Sequence, residues 1–114
     1  MISLDKIRED LKDIRYYYAR KKIFDSVSSD IGLSKVRDTV NLYNRTILMA
    51  PARLFDLYVC LYTKGYTQES LSVELDLTPE YVQMQHKQLL LFLQARFGDS
   101  LDEEDGLLNS ERNF

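Results

Sequence analysis

Apolar residues recur at intervals of three and four along most of the chain, which is the spacing of one face of an α-helix. The pattern predicts a first helix over residues 3–25, capped by Ser3, and a second helix over residues 34–49, capped by Ser34. Their apolar stripes would face each other in an antiparallel hairpin. The stripes consist of Leu4, Ile7, Leu11, Ile14 and Tyr18 in the first helix and Val36, Val40, Tyr43 and Ile47 in the second.

The middle of the chain is apolar nearly all round. Residues 26–32 are rich in Ser, Asp and Gly and predict a loop, whereas residues 51–64 predict a central buried helix that Pro51 starts. A strand is the alternative, because residues 59–62 have a high β propensity. Gly65 favours the helix, since glycine commonly follows a helix C-terminus.

A short helix, a tight turn and a longer helix follow. Thr67 and Thr78 are suited to cap helices over residues 68–75 and 79–97, and Gly98 marks the predicted end of the second. The inner positions are Leu71, Leu75, Leu77, Val82, Leu89 and Leu93. This is the pattern of a helix-turn-helix, whose second helix can enter a DNA major groove.

These elements predict an all-α fold of about five helices. Residues 1–98 would form one helical domain, with a helical hairpin in residues 1–50 and the helix-turn-helix part in residues 51–98. Residues 99–114 contain six acidic residues and one basic residue, without apolar periodicity. We expect them to form an acidic, disordered tail.

The composition argues against an enzyme and against a membrane protein. Cys60 and His86 are the only cysteine and histidine among the 114 residues, which leaves little for a zinc site or a nucleophile–base pair. We expect no catalytic residue, metal or cofactor. No apolar run approaches the roughly 20 residues of a membrane span. Residues 1–13 lack the apolar centre of a signal peptide, which predicts a cytoplasmic protein.

Charge determines which residues could contact nucleic acid. Residues 66–97 contain two basic and four acidic residues, so the helix-turn-helix itself is acidic. Arg20, Lys21 and Lys22 directly follow three consecutive tyrosines, and such an aromatic and basic cluster can contact phosphates. The alternative is a packed tyrosine face with a solvated basic end.

The second helix of the helix-turn-helix contains the candidate reading face. Gln83 can pair with an adenine edge, Tyr81 and Met84 can touch a thymine methyl group, and Lys87 can meet guanine or phosphate. An ordinary solvated face, or a face for a protein partner, is the alternative. The full set of candidate DNA-binding residues is Thr67, Gln68, Thr78, Glu80, Tyr81, Gln83, Met84 and Lys87, together with Arg20, Lys21 and Lys22.

Residues 67–82 resemble the fourth region of bacterial sigma factors. The resemblance rests on Thr67, Leu71, Ser72, Leu75, Leu77, Thr78 and Val82. Residues 14–22, 50–58 and 78–84 are similar to small phage proteins of Gram-positive hosts, the sigma-like late-operon transcription regulators of the ArpU and RinA type. Sigma factors have basic residues where this chain has Pro79, Tyr81 and Gln83.

The resemblance, which covers residues 5–95, implies a DNA-binding activator of late phage genes. Its partners would be double-stranded promoter DNA, bacterial RNA polymerase or both. The alternative is an all-helical interaction module with a sigma-like shape that binds polymerase or another regulator instead of DNA. We also expect a homodimer, because Leu90, Leu91 and Phe92 add apolar area beyond the inner stripe and a dimer would double the weak basic footprint.

Overall fold

The secondary structure of the described residues is entirely helical. The structure, a computed structural model, describes residues 2–26 and 31–110. Its elements are α1 Leu4–Ala19, α2 Lys21–Ser26, α3 Ile31–Ile47, α4 Ala52–Tyr58, a π-helical turn Val59–Thr63, α5 Gln68–Glu74 and α6 Pro79–Ser110. The all-α prediction is confirmed, and the first predicted helix is divided in two at Arg20.

The predicted apolar stripes of the first two long helices lie in the core. Ser3 caps α1, since its hydroxyl oxygen accepts a hydrogen bond from the Lys6 amide at 3.1 Å. α1 and α3 pack against each other through the residues that their periodicity selected. The buried members are Ile7, Leu11 and Ile14 in α1 and Val40, Tyr43 and Ile47 in α3.

The segment predicted to be central, residues 51–64, contacts most of the other helices. α4 and the π-helical turn that continues it pack against α1, α3, α5 and α6. Leu54, Leu57, Tyr58 and Leu61 are all buried. Residues 59–63 are π-helical, so the strand alternative is wrong. The Lys64 amide donates to the Val59 carbonyl oxygen at 2.9 Å, five residues back, which is the π-helical hydrogen bond.

Two polar links cross the core between helices. The Tyr43 hydroxyl of α3 donates to a carboxylate oxygen of Asp10 in α1 at 2.8 Å, and both side chains are buried. Burial, and then this bond to Asp10, raises the pKa of Tyr43. Asn44 joins three helices, because it accepts from the Tyr58 hydroxyl at 2.8 Å and donates to the Tyr18 hydroxyl oxygen at 2.9 Å. These bonds select one arrangement of the apolar stripes.

The start of α3 differs from its prediction. α3 begins at Ile31, so Gly32 and the predicted cap Ser34 lie inside the helix. Residues 27–30 of the predicted loop lie outside the described residues. A Gly or Ser within a helix costs at most about 1 kcal/mol. The burial of the α3 stripe farther along outweighs this cost.

The end of α6 also differs from its prediction. A glycine ends a helix by adopting the left-handed conformation, as Gly65 does with a φ of 81°. Gly98 does not have a positive φ, and α6 continues through it to Ser110. The predicted helix end at Gly98 is therefore wrong, and residues 99–110 of the predicted disordered tail are helical. Residues 111–114 lie outside the described part.

Several leucines have a different exposure from that predicted. Leu75 and Leu77, expected inside, are 52% and 37% exposed, because they lie in the turn where the chain leaves the core. Leu90, expected to add exposed apolar area, is buried and Phe92 is half-buried. Of Leu90, Leu91 and Phe92, Leu91 is the exposed one. The exposed apolar area on α6 is therefore smaller than predicted, and so is the support for a dimer interface on this helix.

We predict that Tyr43→Phe destabilises the fold by roughly 1–3 kcal/mol, because it leaves the buried Asp10 carboxylate without its phenol donor. Urea unfolding followed by circular dichroism measures the change. The control is Tyr81→Phe at an exposed tyrosine, for which we expect a change within about 0.5 kcal/mol. Equal stability of Tyr43→Phe and the wild type would contradict a stabilising role for the Asp10–Tyr43 bond.

Candidate nucleic-acid interface

Both predicted caps of the helix-turn-helix are confirmed. The Thr67 hydroxyl oxygen accepts from the Ser70 amide at 3.0 Å, and the Thr67 amide donates to the Ser70 hydroxyl oxygen at 2.9 Å. This reciprocal capping box determines where α5 starts. Thr78 caps α6 by a single bond, since its hydroxyl oxygen accepts from the Tyr81 amide at 3.1 Å.

The turn between α5 and α6 has the hydrogen bonds of a Schellman motif. The Leu77 amide donates to the Ser72 carbonyl oxygen at 2.8 Å, and the Asp76 amide donates to that of Val73 at 3.3 Å. Asp76 takes the left-handed conformation that the motif requires, with a φ of 55°. Glycine usually occupies this position, so the turn forms at some cost in backbone strain.

Arg15 attaches the helix-turn-helix to α1. One nitrogen of its guanidinium, Nη2, donates to the carbonyl oxygens of Gly65 and Tyr66, both at 2.8 Å. These carbonyl groups lie between the π-helical turn and α5. Sequence reasoning missed Arg15, because a contact between residues about 50 positions apart leaves no local pattern.

The candidate residues on α6 are exposed together. Glu80, Met84 and Lys87 are three and four residues apart and therefore occupy one stripe of the helix. Gln83 lies on one flank of this stripe and Tyr81 on the other. Thr78 and each of these five residues are exposed. The start of α6 therefore presents a mixed polar and apolar surface to solvent.

A groove on the Gln83 flank brings three candidates together with one residue that the sequence did not single out. We call it the polar groove; its volume is about 470 Å³, and it is lined by Leu4, Arg8, Gln68, Gln83, His86, Lys87, Leu90 and Leu91. The residue that the sequence did not single out is Arg8, which follows the buried Ile7 on α1. A basic residue next to a buried position lies at the edge of the packed face of a helix, from which its side chain can reach the neighbouring helix.

The basic corner formed by Arg20, Lys21 and Lys22 lies elsewhere. These three exposed residues line a separate depression together with Tyr18 and Ile23, where α1 meets α2. The structure does not place them in the polar groove. The Arg20 guanidinium lies 4.2 Å from the centre of the Tyr16 ring, a cation–π arrangement.

The charges around α6 are mixed. Lys87 and Arg8 contribute positive charge to the polar groove, although Arg8 also pairs with Asp5 at 3.3 Å. Exposed pairs of this kind are weak and exchange readily with solvent or a phosphate. Glu69 and Glu80 are exposed on α5 and α6 and add negative charge nearby. The basic charge of the polar groove therefore comes from two helices that are distant in sequence.

His86 forms part of the floor of the polar groove. Its Nε2 atom forms a hydrogen bond with the Tyr62 hydroxyl, which links α6 to the π-helical turn. Burial lowers the pKa of His86, and Arg8 lowers it further. Burial also raises the pKa of Tyr62 to about 12. The His86 side chain is half-buried in this position.

A second groove lies on the Tyr81 flank of α6, and we call it the apolar groove. It has a volume of about 230 Å³ and is lined by Arg53, Asp56, Leu57, Cys60, Leu71, Leu75, Leu77, Tyr81, Val82 and Gln85. Arg53 Nε donates to Gln85 Oε1 at 2.9 Å across it. Cys60 is half-buried here.

The chain matches no family model, no curated protein and no solved structure. Within the described residues, no three His, Cys, Asp or Glu side chains group together as metal ligands would. Among residues 2–26 and 31–110, no helix combines the length and the apolar character that a membrane crossing requires.

We predict that Asp76→Gly stabilises the protein by about 1 kcal/mol, because glycine adopts the left-handed conformation without steric cost. Asp76→Val should destabilise it, since a β-branched residue is strained there. Thermal unfolding of both variants measures the difference. A lower melting temperature for Asp76→Gly than for Asp76→Val would contradict the assigned backbone conformation.

We predict that acid destabilises the protein partly through His86. Its pKa is lower in the folded than in the unfolded state, so below the ordinary value of 6.5 the unfolded state binds the proton first. Stability is then lost as the pH falls from about 7 through the folded-state pKa. His86→Gln should reduce this loss. Urea unfolding of the wild type and the variant at pH 7.5 and 5.5 measures this loss of stability. An equal loss in His86→Gln and the wild type would contradict a contribution from His86.

Proposed function

We propose that the protein is a DNA-binding transcription regulator of the phage late-gene type that its sequence resembles. The observation that carries the proposal is the capped helix-turn-helix whose second helix presents exposed polar side chains beside the polar groove. In this proposal α6 enters the major groove, with its first turns on the base edges. Promoter DNA is the ligand, and bacterial RNA polymerase in the host cytoplasm is a second partner.

The residues have separate roles in the proposed complex. Gln83 pairs with an adenine edge, and Met84 and Tyr81 contact thymine methyl groups. Lys87 and Arg8 flank the polar groove and contact phosphates, with Gln68 beside them. Thr67, Thr78 and Glu80 complete the surface that faces the duplex. Base reading and phosphate contact thus come from neighbouring parts of one surface.

The weak basic charge makes a dimer part of the proposal. Arg8 and Lys87 supply two phosphate contacts per protomer, and non-specific affinity depends on the number of such contacts. Two protomers on two half-sites double that number and match the symmetry of a palindromic operator. In this proposal the protein binds and does not catalyse, so it needs no metal or cofactor.

A protein-interaction module is the second candidate function. The apolar groove favours it, because Leu75, Leu77 and Tyr81 leave an apolar patch exposed. The acidic residues of the helix-turn-helix are also better suited to a protein than to a phosphate backbone. In this candidate the chain binds RNA polymerase or another regulator through a sigma-like shape.

We predict that Gln83→Ala and Lys87→Ala affect DNA binding differently. Gln83→Ala should cost roughly 1–3 kcal/mol on a preferred duplex selected from a random pool, and little on other duplexes. Lys87→Ala and Arg8→Ala should weaken binding to all duplexes and reduce its salt dependence. Fluorescence anisotropy at several salt concentrations measures these effects.

Lys35→Ala is the matched control, because Lys35 is an exposed base on α3, away from both grooves. It should leave affinity and sequence preference unchanged. If Gln83→Ala and Lys87→Ala bind DNA as the wild type does but lose RNA polymerase in a pull-down, the second candidate replaces the first.

A further inference from the structure

The apolar groove has the chemistry of a docking site for a protein segment. Val73, Leu75, Leu77 and Tyr81 are 78%, 52%, 37% and 41% exposed within one stretch of nine residues. The last three line the groove together with the inward side chains of α4 and α5. Apolar side chains gathered around a depression indicate an interaction site rather than scattered surface residues.

Acidic residues in and beside the lining segments restrict what can occupy this groove. Asp56 lines the groove, and Glu74 and Asp76 are exposed residues on either side of the lining residue Leu75 in sequence. We call these three residues the acidic rim. Arg53 is the basic residue that lines the groove, and its side chain donates a hydrogen bond to Gln85. A complementary occupant therefore has an apolar side chain flanked by basic residues.

The chain itself displays such a segment where α1 meets α2. Ile23 is 64% exposed and directly follows Arg20, Lys21 and Lys22, all of which are exposed. These four residues line their own depression and not the apolar groove. One copy therefore does not fill its own groove with its basic corner.

We infer that the apolar groove receives the basic corner of a second copy of the chain, with Ile23 against Leu75 and Leu77 and the three bases against the acidic rim. Each protomer has one groove and one corner, so two such contacts related by a two-fold axis close a dimer. The polar groove, on the opposite flank of α6, stays open. The inference concerns protein association alone and does not depend on DNA binding.

Sedimentation velocity of the full chain without DNA tests the inference. We expect the wild type to dimerise at tens of micromolar in low salt. Two charge-reversed chains, K21E/K22E and D56K/E74K, should each self-associate roughly tenfold more weakly. In the mixed dimer, one contact joins the two charge-reversed surfaces and the other joins the two unchanged surfaces, so both contacts pair opposite charges. An equimolar mixture of the two variants should therefore regain most of the wild-type affinity.

Two further variants separate this interface from general effects of charge and folding. Asp13 and Asp38 are exposed acids on α1 and α3 that do not line the apolar groove, so D13K/D38K should dimerise as the wild type does. Ile23→Ser should weaken dimerisation, whereas its melting curve at concentrations too low for dimers should match that of the wild type, since Ile23 is exposed in one copy.

Three results would overturn the inference: a monomeric wild type at every concentration, undiminished association of K21E/K22E, or no recovery in the mixture. A wild type that stays monomeric but binds an Ile-centred basic peptide, with the loss of binding in D56K/E74K, would assign the groove to a different protein partner. A dimer broken by Leu91→Ser and not by Ile23→Ser would place the interface on α6 instead.

Discussion

The burial of the apolar face of α4 and of its π-helical continuation is the constraint on which the rest of the structure depends. Leu54, Leu57 and Leu61 are buried, whereas Arg53 and Asp56 of α4 are exposed. Half-buried apolar side chains beside this face widen it beyond what one neighbouring helix can cover. α1, α3, α5 and α6 therefore pack against α4 and its π-helical continuation. The helix-turn-helix is part of this shell, and its first helix is too short to be stable by itself.

Hydrophobic burial alone would allow several arrangements of the shell, and a few polar bonds distinguish among them. Tyr43 meets Asp10 across the core, and Asn44 bonds to tyrosines from two other helices. Arg15 holds the chain just before α5. The same packing of α1 brings Arg8 beside His86 and Lys87, so the helical hairpin contributes a base to the surface of α6.

α6 separates two surfaces of different chemistry. On one flank, Gln83 and Lys87 line a polar groove together with Arg8; on the other, Tyr81 borders an apolar groove. A partner in the apolar groove would leave the polar groove open, although Tyr81 belongs to both the apolar groove and the proposed DNA-reading face.

Local chemistry in the sequence determined the helices, their caps and their buried faces: Ser3, Thr67 and Thr78 cap as predicted, and the stripes through Ile7, Val40 and Leu89 are buried. Periodicity and capping depend on neighbours within one turn, so a single sequence displays them. The tertiary structure alone decided the outward position of Leu75, the passage of α6 through Gly98, and the placement of Arg8 and Lys87 in one groove. Each depends on contacts between residues far apart in the chain, or on a backbone conformation selected by packing, and neither leaves a local pattern.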